Sequence, residues 1–253
     1  MDSECQTLLG SLKNKIWMKT HILIACFQKS GSTYFANLLR MLTGFRGAGL
    51  TQYYGNNEQD LYEYKLKKHA KHNTVSCHHV KGTENNIDLM KKYGIKPIVH
   101  TRNIFDVVVS LKDHMETQGH QTPTGYIHKQ YFNMSDEDKL MYLIRVHLPW
   151  YFSFLVSWSE ASEDIEVLST SYEELFNDQI GTVAKILNFY DLPFPTEKIK
   201  QSINRVKTTN TRFSVGIKGR GKQLSQKHKD AIYDLAEAWK IENSLLNKIG
   251  IEF

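Results

Sequence analysis

Cysteine and proline are scarce in this sequence, and their scarcity excludes several classes of protein. Only 3 of the 253 residues are cysteine, and Cys5, Cys26 and Cys77 form no CxxC pair. A disulfide framework needs paired cysteines and a cysteine-type zinc site needs closely spaced ones, so we expect neither. We expect Cys26 and Cys77 to pack on strands as small apolar residues. With 5 prolines and 15 glycines, the chain also lacks the composition of a collagen-like or low-complexity protein.

Long hydrophobic runs are absent as well. Apolar runs such as residues 22–27 fall far short of the roughly 20 residues that cross a bilayer, and the first twenty residues lack the apolar core of a signal peptide. We therefore expect a cytoplasmic protein without a membrane span. The length and the 41% hydrophobic content suit one domain with a sizeable core, so a single domain over residues 1–253 is the expected organisation.

Acidic residues are missing from one long stretch of the chain. Residues 198–229 contain ten Lys or Arg and no Asp or Glu, whereas the whole chain carries a net charge of only +5. Such a basic window indicates a binding surface for a multiply charged anion, either a nucleic acid or a phosphorylated small molecule. A solvated basic face is the alternative that the charge pattern leaves open.

Strand and helix patterns alternate through most of the sequence. Short apolar runs predict strands at residues 21–27, 74–79, 95–101 and 165–169. Helical periodicity follows them at residues 33–42, 85–93, 105–115 and 171–190. A further long helical stretch begins at Ser135, and Pro149 should kink or break it because proline removes a helix hydrogen bond.

This alternation predicts an α/β fold in which helices flank both faces of a central parallel sheet. In such sheets, ligands bind beyond the carboxyl ends of the strands. The residues that directly follow each predicted strand are therefore the candidates for a functional site.

The first predicted strand is followed by a loop of small residues at the start of a helix, Gln28-Lys-Ser-Gly-Ser-Thr33. Backbone N–H groups and the positive end of the helix dipole bind phosphate at such a position, and Lys29 adds a full positive charge. The loop is not a Walker A motif, which reads GxxxxGK[ST], because its lysine precedes its only glycine. The loop therefore predicts a phosphate site that differs from the Walker A type, which binds ATP or GTP with magnesium. A surface turn with a capping serine is the alternative.

A second candidate follows the third predicted strand. Arg102 stands where that strand ends, and Ser110 lies eight residues later, about two turns into the next helix. A guanidinium and a hydroxyl in these places can bind a second phosphate, separate from the first. The alternative is a surface pair of Arg102 with Asp106, with Ser110 packed inside the helix.

The lysine-containing loop and the Arg-x7-Ser pattern are joined by Tyr172-Glu-Glu-Leu175 and by Lys218-Gly-Arg-Gly221 near the end of the chain. This combination of motifs resembles the PAPS-dependent sulfotransferase family. The resemblance implies a P-loop NTPase-like fold of three layers and a sulfotransferase activity. It also implies 3′-phosphoadenosine 5′-phosphosulfate (PAPS) as co-substrate and adenosine 3′,5′-bisphosphate (PAP) as product, without a metal.

The same resemblance implies which residues hold the donor. Those for the 5′-phosphosulfate are Lys29, Ser30, Gly31, Ser32 and Thr33. Those for the 3′-phosphate are Arg102, Ser110, Lys218, Gly219 and Arg220. The adenine would lie near Tyr172, and the basic window would serve to close over the 3′-phosphate.

Three departures from the family pattern affect this assignment. Tyr34 stands where the loop usually has tryptophan, and residues 217–223 reduce the RKGxxGxW pattern to Ile-Lys-Gly-Arg-Gly-Lys-Gln. Whether Lys218 or Arg220 grips the 3′-phosphate therefore stays open. Cys77-His78-His79 stands in place of the frequent Lys-Thr-His, so the first of its basic residues is missing.

The catalytic residues that the resemblance implies are His79, Lys29 and Ser110. Sulfuryl transfer needs a base for the acceptor, and a histidine near neutral pKa suits that task. Adjacent residues of a strand point to opposite faces, so only one of His78 and His79 can enter the site, and the alignment favours His79. Lys29 would stabilise the charge on the leaving oxygen, and Ser110 would couple Lys29 to the 3′-phosphate.

The acceptor is not specified by these residues. We expect a hydroxyl, or an amine, of a small molecule, a glycan or a lipid, and nothing in the sequence predicts an oligomeric state. Aromatic residues after the Arg-x7-Ser helix either line the acceptor site or form core: Tyr126, Tyr131, Phe132, Trp150, Tyr151, Phe154 and Trp158.

Other functions stay open at this stage. A P-loop nucleotide or small-molecule kinase is the nearest enzymatic alternative. It is disfavoured because the loop does not match the Walker A sequence. A nucleic-acid-binding module could use the basic window at residues 198–229. However, the sequence contains no motif of interleaved aromatic and basic residues of the kind that contacts bases, so we expect no nucleic-acid partner. A protein that binds PAPS without turning it over is a third possibility.

Overall fold

The computed structural model describes residues 19–53, 57–119, 121–122, 125–208 and 218–253. Cys5 and residues 209–217 of the basic window lie outside these ranges. Within them, no helix is long and apolar enough to span a membrane. No cluster of His, Cys, Asp and Glu side chains that could hold a metal ion occurs among the same residues.

The strands of the described residues form one large sheet and two small ones. They are β1 (His21–Cys26), β2 (Arg46–Gly47), β3 (Thr51–Tyr53), β4 (Asn57–Leu61), β5 (Thr74–His78), β6 (Pro97–Thr101), β7 (Gln121–Thr122), β8 (Gly125–Tyr126) and β9 (Leu168–Ser171). The large sheet is parallel and has the order β2–β5–β1–β6–β9. β3 pairs with β4, and β7 with β8, as antiparallel hairpins that the sequence pattern did not predict.

Helices connect the strands and cover the sheet. They are α1 (Ser32–Thr43), α2 (Glu63–His69), α3 (Glu84–Tyr93), α4 (Ile104–Gln118), α5 (Asp136–Asp164), α6 (Tyr172–Asn177), α7 (Gln179–Phe189), α8 (Thr196–Lys207), α9 (Gln226–Ala238) and α10 (Asn243–Asn247). Short 3₁₀ helices lie at Lys129–Asn133 and Arg220–Gln223. The predicted α/β class with a central parallel sheet is confirmed.

Each face of the sheet has its own hydrophobic cluster, because alternate residues of a strand point to opposite faces. Leu23 and Ala25 of β1 belong to a cluster built mainly from α3, α4, α5 and α9. Ile22 and Ile24 belong to a second cluster, with α1, α7 and α8. All six residues of β1 are buried, as expected for a central strand that helices cover on both sides. The fold therefore has three layers.

The two described cysteines pack on strands as the sequence predicted. Cys26 is buried on β1, and Cys77 of β5 packs against the same cluster. Their Sγ atoms are 3.5 Å apart, and both thiols are free.

The sequence predicted that Pro149 kinks or breaks the long helix, and the break is wrong. α5 runs for 29 residues with Pro149 inside it. An interior proline costs about 3 kcal/mol. Buried Trp150, Tyr151 and Phe152 follow it directly, and burying one large apolar side chain contributes roughly 1.5–3 kcal/mol. The packing of these side chains outweighs the cost of the proline.

The fourth strand and the helix after it also differ from the prediction. The strand is β9 at Leu168–Ser171, whereas Ile165 ends α5 with its N–H bonded to the Ala161 carbonyl at 3.1 Å. Ser171 and Glu174 form a capping box at the start of this helix. The helix that it opens ends at Asn177, because Asp178 accepts the Gly181 N–H at 2.8 Å and starts α7.

Candidate active site

The loop between β1 and α1 turns through two left-handed residues. Lys29 has φ 65° and Gly31 has φ 75°, and Gly31 is the residue that precedes the first turn of α1. The hydroxyl of buried Ser30 donates to the Phe27 carbonyl at 2.8 Å and stabilises the turn. Ser32 is buried and Thr33 is exposed. The loop thus brings the N-terminus of α1, which favours anions, to the carboxyl end of β1.

Arg102 directly follows β6, and its guanidinium joins three elements of the site. Its Nη1 donates to the Lys29 carbonyl at 2.8 Å, and its Cζ lies 4.1 Å from the centre of the Tyr172 ring. Its Nη2 is 3.7 Å from Oδ2 of Asp106. Arg102 therefore places its charge beside the Lys29 loop and the start of α4, on which Ser110 is buried.

Tyr172 lies against the loop from the other side. A Cβ on Gly31 would lie 3.0 Å from Cδ2 of Tyr172, so a side chain there would push the ring back by a few tenths of an ångström. The two residues line a cavity together with Tyr34, Leu175, Phe176 and Gln179. The rings of Tyr34, Tyr172 and Phe176 give this cavity an aromatic wall.

The loop at residues 218–221 lies on α4, next to this cavity. The backbone N–H groups of Gly219 and Gly221 donate to the carboxylate of Asp106. The ammonium of Lys218 donates to Asn177 and lies 4.5 Å from the centre of the Phe176 ring. Arg220 pairs with Asp113 at 2.5 Å.

His78 and His79 have different surroundings. The Nε2 of His78 accepts the Leu50 N–H at 2.9 Å and its Nδ1 lies 3.2 Å from Glu58 Oε2, so this ring is held in the protein interior. The Nδ1 of His79 lies 2.8 Å from the Cys26 carbonyl, which can only accept. Nδ1 therefore carries the proton, and the Nε2 of His79 is the basic atom.

The electrostatics of His79 keep its ring neutral. Burial lowers its pKa below the ordinary value of 6.5, and the positive charge of Lys29 adds a smaller lowering, whereas Glu58 acts in the opposite direction. The ring also meets that of Trp150 edge to face, with centres 6.2 Å apart. A neutral histidine at the carboxyl edge of the sheet, within electrostatic reach of Lys29, can accept a proton at neutral pH.

His100 is a residue of the site that sequence reasoning missed. Its Nε2 donates to the Ser30 carbonyl at 3.0 Å, and its Nδ1 accepts from the Thr170 hydroxyl at 2.9 Å. Burial lowers the pKa of this ring to about 4, which keeps it neutral. The only signal in the sequence is a polar residue within the third apolar run. His100 supports the loop from beneath.

Comparison with known proteins places the chain in a family. A family model described as the sulfotransferase domain matches residues 19–218, which include the Lys29 loop, Arg102 and Tyr172. The chain belongs to the sulfotransferase domain family. None of the curated proteins matches the sequence of this sulfotransferase significantly.

Solved structures show the same fold. Mouse sulfotransferase SULT7A1, complexed with PAP, is similar with a TM-score of 0.67 and 17% identity over 96% of this chain and 91% of that one. Retinol dehydratase in complex with androsterone and the inactive cofactor PAP has a TM-score of 0.59 and 15% identity over 92% of this chain and 82% of that one. A retinol dehydratase complex with retinol and PAP has a TM-score of 0.56 and 16% identity, covering 96% and 88%.

The family, the fold and the enzyme class that the sequence predicted are thereby confirmed. This result favours the sulfotransferase interpretation over the kinase and the nucleic-acid-binding module. The roles of single residues stay predictions.

Most of the aromatic residues after the Arg-x7-Ser helix belong to the core of the sulfotransferase. Tyr131, Tyr151, Phe154 and Trp158 are buried, whereas Tyr126 is 70% exposed. Phe132 is half-buried beside Tyr131. Of the seven predicted residues, Trp150 is the one whose ring packs against His79.

Proposed function

We propose that this sulfotransferase takes PAPS as its donor and acts as one domain on a hydroxyl, or an amine, of its acceptor. The observation that carries the proposal is a pair of cationic elements at the carboxyl edge of the sheet. The Lys29 loop follows β1 and Arg102 follows β6, and a hydrogen bond joins them. Two cationic elements on neighbouring strands suit a donor that carries two separate phosphates. The PAP complexes of mouse SULT7A1 and retinol dehydratase support this choice.

In this proposal, the 5′-phosphosulfate lies on the loop of residues 29–33. Lys29 and Thr33 offer side chains to it, and the N-terminus of α1 offers backbone N–H groups. Ser30 takes part through its backbone, because its hydroxyl donates to Phe27. Tyr172 flanks the adenine in the cavity beside Gly31.

The 3′-phosphate is proposed to bind between α4 and the loop at residues 218–221. Arg220 pairs with Asp113, which lies three residues after Ser110 and thus on the same side of α4. Lys218 instead lies over Phe176, beside the proposed adenine cavity. We therefore assign the binding of the 3′-phosphate to Arg102, Ser110 and Arg220, and we assign Lys218 to a position beside the nucleoside.

The proposed reaction uses these basic and cationic groups. His79 Nε2 takes the proton from the acceptor hydroxyl, whose oxygen forms the new bond to sulfur. The bond between sulfur and the bridging oxygen of the phosphate breaks, and its electron pair stays on that oxygen. Lys29 stabilises the negative charge that develops there, and Ser110 links Lys29 to the bound 3′-phosphate.

A thermal-shift titration without added metal tests the donor assignment. PAP at about 100 times its dissociation constant should stabilise the native state by roughly 2.7 kcal/mol, and AMP at the same concentration by far less. Arg102→Lys keeps the charge but loses the planar fork of donors, so it should erase most of the preference for PAP. Arg102→Ala should do so as well.

Two results would contradict this proposal. Equal shifts with AMP and PAP would show that no second phosphate site exists. A shift with ATP and magnesium that exceeds the shift with PAP would favour a kinase.

A mass-spectrometric screen identifies the acceptor class. The enzyme is incubated with PAPS and a library of phenols, sugars, amines and lipids that includes retinol and androsterone, and products are scored by the mass gain of one SO₃ group. A PAPS-binding protein without turnover would yield no such product from any of them.

A further inference from the structure

The buried carboxylate of Asp106 connects two distant parts of the chain. Asp106 lies in the first turn of α4 and is 3% exposed. Its Oδ1 accepts the N–H of Gly221 at 2.8 Å, and its Oδ2 accepts the N–H of Gly219 at 2.9 Å. Both oxygens of one side chain thus hold a loop that lies more than a hundred residues later in the sequence.

The loop is shaped to receive this carboxylate. Gly219 has φ 75°, a left-handed conformation that few residues other than glycine adopt. A Cβ on Gly221 would lie only 2.4 Å from the Cβ of Phe105, so the backbone of the loop lies directly on α4. The Leu224 N–H bonds to the Gly221 carbonyl at 3.1 Å and continues the turn. Two glycines therefore allow the close approach, and Asp106 supplies the attraction.

Asp106 also reaches the other cationic element of the site. Its Oδ2 lies 3.7 Å from Nη2 of Arg102, which itself bonds to the Lys29 carbonyl. A buried carboxylate is costly unless it is hydrogen-bonded and paired, and these N–H groups and the guanidinium supply both conditions. The carboxylate is unsuited to touch a phosphate, because like charges repel. Its place between two cationic segments points to a role in arranging them.

We propose that Asp106 is a positioning residue that sets the preference of the enzyme for a 3′-phosphate. It docks residues 218–221 on α4, so that the Arg220 side chain and Arg102 face one anion from two sides. Asp106 itself does not contact the nucleotide. This inference rests on the proposed function, because it requires a donor with a 3′-phosphate.

The test compares the affinities of Asp106→Ala, Asp106→Asn and the wild type for PAP and for AMP by calorimetric titration. Asp106→Ala should weaken PAP binding by about tenfold or more and AMP binding by less than about threefold, since AMP lacks the group that the docked loop would bind. Asp106→Asn keeps one oxygen acceptor, so its dissociation constant for PAP should lie between those of the wild type and Asp106→Ala. The decisive readout is the ratio of the two dissociation constants.

Limited digestion with trypsin provides a second readout. Undocking should expose Lys218, Arg220 and Lys222 to cleavage in Asp106→Ala, whereas the wild type should resist cleavage there, more so with PAP bound. Met90→Ala is the control for loss of stability alone, because Met90 is fully buried in the core on α3. It should lower the melting temperature without changing the affinity ratio or the cleavage pattern.

The outcomes separate this inference from the proposed function. A wild type that binds PAP and AMP equally would contradict the PAPS donor itself. A wild type that prefers PAP, together with Asp106→Ala that keeps the same ratio and digestion pattern, would overturn the role of Asp106. If Asp106→Ala does not fold, Asp106→Asn decides by the same ratio, and an unchanged ratio overturns the role.

Discussion

At the scale of single residues, the two adjacent histidines at the end of β5 have separate tasks. His78 is fully buried and bonds to Leu50 and Glu58 through its two ring nitrogens. His79 bonds to the Cys26 carbonyl through Nδ1 and keeps Nε2 as the basic atom. The first arrangement holds the β3–β4 hairpin to the sheet, and the second leaves Nε2 of His79 for its proposed role as a base.

Replacing each histidine should separate these tasks. His79→Ala should lower turnover by about 10²–10⁴, the range for losing a general base, and should cost less stability than His78→Ala because it removes one buried hydrogen bond rather than two. His78→Ala removes partners of two buried groups and should lower stability by about 1–3 kcal/mol, with a smaller loss of turnover. Turnover is measured with PAPS and the acceptor that the mass-spectrometric screen returns. The opposite ordering of the two turnover losses would assign the base to His78.

The pH dependence of turnover offers a further check on His79. A base works only when it is unprotonated, and burial lowers the pKa of His79 below 6.5. Turnover should therefore be constant around neutral pH and fall only as the pH drops through that lowered value. A fall that begins well above pH 6.5 would contradict this role.

At the scale of elements, helix α1 begins and ends with a glycine in the same left-handed conformation. Gly31 at its start has φ 75°, and Gly44 after its end has φ 72°. A Cβ on Gly44 would meet no atom within 4 Å, whereas one on Gly31 would press on the Tyr172 ring at 3.0 and 3.1 Å. The two ends therefore share a left-handed conformation that would strain any other residue, but they differ in contact with the proposed donor site.

Replacing each of these two glycines with alanine gives a matched pair of variants that tests this difference. Gly31→Ala and Gly44→Ala should both lose roughly 1–2 kcal/mol of stability in urea unfolding, because both force a left-handed alanine. Only Gly31→Ala should also weaken PAP binding, by about tenfold, since it displaces Tyr172. Equal affinities of the two variants for PAP would mean that Tyr172 does not help to form the donor site.

At the scale of the whole molecule, buried neutral histidines make stability depend on pH. Burial lowers the pKa of His100 and that of His147 to about 4 each, from 6.5. The unfolded chain thus takes up protons at a higher pH than the folded one. As far as these two groups are concerned, the free energy of unfolding has its full value above pH 6.5. It decreases as the pH falls toward about 4 and then levels off.

Urea unfolding between pH 7.5 and 4 measures this dependence. Each histidine accounts for up to about 3 kcal/mol of the loss in unfolding free energy over this pH range, because one pKa unit corresponds to 1.36 kcal/mol. His147→Gln removes one of the two groups and should make the loss of stability with falling pH less steep. Met90→Ala should shift the whole curve down and keep its slope. An unchanged slope in His147→Gln would show that His147 does not drive acid unfolding.

The sequence by itself determined the features that depend on neighbouring residues. The left-handed Gly44, the capping box of Ser171 and Glu174, and the apolar run of β1 were all predictable, because each pattern forms within a few residues of the chain. The Lys29 loop belongs to the same group, since it joins one strand to the next helix. Together with the spacing of the other motifs, these features were enough to indicate the family.

Only the tertiary structure decided how the distant parts of the site meet. Arg102 bonds to a carbonyl 73 residues earlier, and Asp106 accepts N–H groups 113 and 115 residues later. The role of His100 beneath the loop and the unbroken helix at Pro149 belong here as well. No local pattern encodes such features, because their energies come from partners that only the packed sheet brings together.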